Sequence, residues 1–177
     1  STSASVSDKA GNTTSATSQN LSPEEMSQRL ADLQADLAER AAALERSRQA
    51  LGDLANALAD NSATSDAANS LRRGDYQKAA DQLSALGKQS AQLSAAARRD
   101  LAARLNQGAS AVAPNNGDLA GKMRQAAQDL GANDAQKSAQ SLGDLAQAVA
   151  QAGAQATSLA DPSQPYDPSQ APAGVVP

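Results

Sequence analysis

The chain has no cysteine, histidine, tryptophan, phenylalanine or isoleucine. Each absence removes a class of chemistry. Without cysteine there is no disulfide framework, so the compartment cannot be read from thiol usage. Without cysteine and histidine together, the Ser-His-Asp and Cys-His nucleophile systems, the redox pairs and every thiolate or imidazole metal site are excluded. Only carboxylates, Lys, Ser and Tyr are left for catalysis, and none stands out as an acid/base pair or activated nucleophile, so no catalytic, cofactor-binding or metal-ligating residue is assigned and the chain reads as no enzyme. With β-branched and aromatic residues so few outside the ends, strands are nearly excluded too.

Long hydrophobic runs are also missing. Leu145 to Ala160 alternates Ala with Gln and is too polar to span a bilayer. Any membrane attachment is therefore expected through an anchor outside this chain, and the absence of an initiating Met suggests a processed piece. The net charge is −4 over 177 residues. That is too modest to enforce disorder, even though Leu and Val are scarce. Alanine supplies most of the 40% hydrophobic content, and alanine favours helix while burying little area. A thin core carried by a few leucines is the expectation.

What is present is helical periodicity and an internal repeat. Leu71 to Leu86, with Gly74-Asp75 inside it, aligns without a gap on Leu130 to Leu145, with Asn133-Asp134 at the matching place. Such self-similarity marks one supersecondary unit used twice, burying its apolar face on its neighbours. Gly74 and Asn133 are the residues most tolerant of the left-handed backbone that ends a helix, while Asp75 and Asp134 are placed to cap the next one. These four form the structural turn of each copy. The units are expected at about 63–92 and 118–159.

Upstream, Ser22-Pro23-Glu24-Glu25 combines an N-cap hydroxyl, Pro at the first helical position and Glu at the third. A long helix over 22–60, roughly 58 Å at ~1.5 Å per residue, follows. Leu30, Leu37, Leu44, Leu51 and Leu58 recur every seven residues, the a positions of a heptad, with Met26, Leu33 and Leu54 at d and Arg40 and Ser47 interrupting the d line. This stripe is a candidate interaction surface. Glu25 with Arg29 and Asp36 with Arg40 have the spacing of helical ion pairs. Ser94 and Asp118 are expected to cap later helices. Residues 1–21, rich in Ser and Thr and with sequons at Asn12 and Asn20, and the Pro-rich residues 161–177 read as disordered linkers around a helical domain at 22–160.

Gly74-Asp75-Tyr76-Gln77-Lys78-Ala79, followed by Leu83 and Leu86, resembles the turn and second helix of a tetratricopeptide repeat. That resemblance implies stacked helical hairpins and, in a concave groove, peptide binding. The copies differ from the family in lying 59 residues apart, where the family repeats at about 34. They differ also in replacing Gly and Tyr with Asn133 and Ala135 in the second copy. The Ala/Gln/Leu-rich array between Ser/Thr-rich and Pro-rich flanks is similar in style to extracytoplasmic regions of uncharacterised membrane-anchored proteins of high-GC bacteria. It implies a place outside the cytoplasmic membrane rather than an activity.

The remaining motifs have plainer readings. Arg73-Gly74-Asp75 spells an integrin tripeptide, but it falls between two helices rather than on an extended loop. Arg72, Arg73 and Lys78, and Arg98, Arg99 and Arg104, are solvated helix faces on an acidic chain with no aromatics to stack on bases, so no nucleic-acid partner is assigned. Asp32, Asp36 and Glu39 are a wet acidic surface beside Arg40. Neither Gly87-Lys88 nor Gly121-Lys122 has the upstream glycine of a phosphate loop. Lipid-surface helices need bulkier apolar faces and more basic polar ones.

An all-α fold follows, with a long N-terminal helix and two related hairpins in a bundle or short solenoid. The expected function is that of a non-enzymatic spacer or protein-interaction scaffold, its protein partner unspecified. The alternative is a coiled-coil homo-oligomerisation element using Leu30, Leu37, Leu44, Leu51 and Leu58.

Overall fold

The structure is a computed structural model and describes residues 21–174. Most of the expected N-terminal linker, with the asparagines of both sequons, lies outside the described residues. Six α-helices follow in order: α1 Pro23–Ala59, α2 Ser65–Arg72, α3 Tyr76–Gln89, α4 Ala95–Val112, α5 Gly117–Gly131 and α6 Ala135–Ala160. Short 3₁₀ turns at Ser90–Gln92 and Pro168–Gln170 complete the set, and there is no strand among the described residues. The all-α expectation holds. The chain divides into two compact units between Glu39 and Arg40, with α1 crossing the boundary.

The first unit contains the start of α1. The Glu25 N–H donates to Ser22 Oγ at 3.1 Å, and Pro23 opens the helix without needing a partner for a nitrogen proton.

In the second unit α3 lies along α6, α4 along α5, α5 along α6 and α2 on α3. The second helices of the two hairpins thus pack on each other. Tyr76 sits against Gly153 while Gly87 sits against Ala139 and Leu142, so α3 and α6 run antiparallel. A Cβ at position 153 would overlap the Tyr76 side chain, and the missing side chain is what lets the partly buried Tyr76 sit against α6. The fully buried large side chains are mostly leucines: Leu54 and Leu58 from α1, Leu83 from α3, Leu101 and Leu105 from α4, Leu119 and Leu130 from α5, Leu142 and Leu145 from α6, with Met123, Val112 and Val149. Alanines such as Ala43, Ala50, Ala79, Ala109 and Ala126 fill the spaces where helix backbones approach.

The two turns of the repeat match bond for bond. In the first, Arg73 N–H donates to Asn69 O, Gly74 N–H to Leu71 O and Asp75 N–H to Ser70 O. In the second, Ala132 N–H donates to Gln128 O, Asn133 N–H to Leu130 O and Asp134 N–H to Asp129 O. Gly74 has φ +77° and Asn133 φ +57°, both left-handed, and Asn133 is the one non-glycine residue there among those described. The final bond, reaching back five residues, is the closure that follows a left-handed C′ residue. The two aspartates differ. Asp134 Oδ1 accepts from Lys137 N–H at 3.0 Å, whereas Asp75 stands at the N-cap of α3 with no side-chain bond, correcting the cap expected there.

Two further expectations are corrected. Asn116, not Asp118, caps α5: its Oδ1 accepts from Leu119 N–H at 3.1 Å, because the helix begins at Gly117 and leaves Asp118 inside the first turn. The Pro-rich stretch after α6 is built rather than featureless as far as Gly174. Asp167 caps the 3₁₀ turn at Pro168–Gln170, Ala173 O accepts from Gly117 N–H at 2.8 Å, and Pro172 is buried. The tail thereby satisfies an amide at the open N-terminus of α5 that no helical carbonyl can reach. Ser94 caps α4 as expected, its Oγ accepting from Ala97 N–H at 3.0 Å.

With so few large core side chains, Leu83→Ala is expected to lower unfolding free energy by about 2–4 kcal/mol; chemical denaturation with an unchanged midpoint would show that α3 does not anchor the core. Gly74→Ala should cost about 1–2 kcal/mol because it places a Cβ at left-handed φ. Asn133→Gly, relieving the same strain in the second turn, should leave stability equal or raise it by up to about 1 kcal/mol. Equal losses for both substitutions would show that the turns are held by something other than backbone handedness.

Candidate functional site

The stripe on α1 divides. Leu51, Leu54 and Leu58 are buried and Leu44 is half-buried, all in the second unit. In the first unit the same heptad line is open: Met26 is 50% exposed, Leu30 59%, Leu33 52% and Leu37 66%. They are the exposed large hydrophobic residues among those described. The five-leucine surface expected from spacing is therefore corrected. Leu51 and Leu58 belong to the core, and the available face is Met26, Leu30, Leu33 and Leu37. Their i, i+4, i+7, i+11 order puts four bulky side chains on one side of three helical turns. Single exposed leucines are ordinary on protein surfaces, whereas four in heptad register form a contiguous apolar strip.

The division falls at Arg40, the next d position. Its guanidinium donates Nε–H to Leu159 O at 2.8 Å and Nη2–H to Ser158 O at 3.0 Å, and it also contacts Asp161 O and Gln164 O. The C-terminus of α6 has no basic residue in its own last turn. Arg40 supplies the missing donors and a positive charge where the helix dipole is negative. It is thus engaged with carbonyls rather than with Asp36, as its spacing had suggested. A helix ending without a cation before Asp161-Pro162 was the one signal in the sequence for this arrangement. Ser47, the following d position, is fully buried, and its hydroxyl has no partner.

Several of the basic groups are engaged within the chain. Arg104 meets Asp100 at 2.9 Å and Asp60 at 3.3 Å. Arg72 donates to Asn56 Oδ1 at 3.1 Å, and Arg98 lies against the carbonyls of Ser90 and Ala91. Gly74, Asp75 and Asn133 are exposed at the two turns and Asp134 is half-buried, and their bonds are the structural ones already described. No helix among the described residues is long and apolar enough to cross a membrane.

Hydrogen bonds from Arg104 and Asn61 hold the Asp100 carboxyl below its ordinary range. The Ser163 hydroxyl and amide do the same for Asp161. Both groups favour the folded state as carboxylates. Their contribution is complete above the ordinary carboxylate pKa of about 4 and is lost as the pH falls through the lowered folded values. Asp53 runs the other way, its carboxyl pushed up by burial. The midpoint of thermal unfolding should accordingly fall below about pH 4. Asp100→Asn should shallow that acid limb, and an unchanged limb would count against the Asp100 contacts.

Compared with protein-family models, with curated proteins and with solved structures, the chain matches none.

Proposed function

We propose that this chain is a non-enzymatic helical interaction module that self-associates through the start of α1. The observation that carries this reading is the open strip of Met26, Leu30, Leu33 and Leu37, on a helix whose later leucines are in the core or packed against it. Heptad spacing favours a second copy as the occupant, because a and d residues at this period present the knobs and holes that another helix of the same pattern accepts. The lack of histidine and cysteine supports the non-enzymatic part. A location outside the cytoplasmic membrane belongs to this proposal only through the style of composition noted above.

The expected affinity is low. Burying the exposed half of each side chain is worth about 1 kcal/mol, or about 8 kcal/mol for four from each copy. Association costs at least about 4 kcal/mol. The remainder corresponds to a dissociation constant of about 1 mM, suited to chains already held near one another. Sedimentation equilibrium of the full chain up to about 1 mM should show reversible dimerisation that Leu30→Asp/Leu37→Asp abolishes without changing helicity. A monomer throughout that range would overturn the reading.

A further inference from the structure

The open strip has an orientation written into its flanks. With Leu30 and Leu37 at a and Met26 and Leu33 at d, the positions beside the seam are Ser27, Gln34 and Ala41 at e and Arg29, Asp36 and Ala43 at g. Residues at e and g face the other helix across the edge of a coiled coil and set partner orientation through charge. The two orientations bring together different residues.

In a parallel pair, each g residue faces the e residue five places further on in the other helix. Arg29 then meets Gln34 and Asp36 meets Ala41, and no opposite charges come together. In an antiparallel pair, a packs on d and g faces g. Met26 then lies opposite Leu37 of the second copy and Leu30 opposite Leu33, so all four apolar residues are covered in four layers. Arg29 falls opposite Asp36 of the second copy, and the two-fold axis of a like-with-like interface repeats that contact. Ser27 meets Gln34 on the other edge. Among the described residues neither Arg29 nor Asp36 is in an ion pair within its own chain, although Arg40 stands one turn from Asp36. Arg40 is engaged with the carbonyls at the end of α6, which leaves the Asp36 carboxylate available. The same engagement ends the strip, since the layer beyond Leu37 would place a guanidinium at d.

The geometry points to an antiparallel two-helix pairing of residues 23–39 from two copies of this chain, with Met26 on Leu37, Leu30 on Leu33, and Arg29–Asp36 ion pairs on one edge. This rests on the self-association proposed above and adds its direction and register. Charge complementarity selects the orientation, and the four apolar layers supply the attraction.

Charge exchange tests it. Arg29→Glu alone puts two carboxylates face to face at each of the two contacts, and Asp36→Arg alone puts two guanidinium groups together at each. Each is expected to weaken dimerisation about three- to tenfold at low salt, and R29E/D36R should return to within about twofold of the original chain. A dimer indifferent to all three variants would overturn the antiparallel register and leave self-association standing. A chain monomeric at about 1 mM would instead remove the self-association itself. A second readout is available because the chain has no cysteine. A mixture of Ser27→Cys and Gln34→Cys chains, oxidised at high concentration, should give the mixed disulfide in preference to either homodisulfide. Preferential homodisulfides, or no intermolecular disulfide from a demonstrably dimeric mixture, would overturn the register.

Discussion

Large apolar side chains are the limiting resource of this protein, and where each one sits decides what is folded and what is left open. Alanine builds helices readily but contributes little attraction between them. The body that includes α3–α6 therefore depends on about a dozen buried leucine, valine and methionine side chains, set among alanines that let backbones come close. Leucine on α1 contributes to that core only from the middle of the helix onward. Everything before Arg40 carries the same pattern with nothing beneath it in its own unit.

The repeat shows how little sequence is needed to specify a turn. Gly74 and Asn133 differ in side chain, as do Tyr76 and Ala135, yet the three closing hydrogen bonds fall on equivalent atoms. What the copies share is a residue able to enter the left-handed region, followed by an Asp at the N-cap position and a helix with an apolar inner face. The second hairpin tolerates the loss of the aromatic because Tyr76 of the first already covers α6, lying on Gly153. The units are thus alike in backbone and unequal in packing, each completing the other.

Much of this was legible from the chain. Helix limits, the left-handed turns, the caps at Ser22 and Ser94, and the inner faces Leu83-Leu86, Leu119-Met123-Leu130 and Leu142-Leu145-Val149 all follow from local spacing and local hydrogen-bonding options. What was not legible depends on residues distant in sequence. Nothing in α1 itself says that its leucines become buried only after Leu44, because that depends on how far the other helices extend beside it. Arg40 looked like the partner of Asp36 one turn away and instead serves carbonyls about 120 positions later. Proline content in the tail pointed to a linker without regular structure and carried no information on the 3₁₀ turn at Pro168–Gln170 or the bond from Gly117 to Ala173. At α5 the two-residue difference between Asn116 and Asp118 turned on where the chain leaves the preceding turn.

The Asn116-Gly117 step has a consequence for chemical ageing. Asparagine before glycine is the pairing most prone to ring closure, in which the glycine nitrogen attacks the side-chain amide carbon and ammonia departs. Here the side-chain oxygen is occupied by the Leu119 amide and the Gly117 nitrogen points its proton at Ala173. Ring closure at this step would therefore have to break both hydrogen bonds, one of them made by the closing segment.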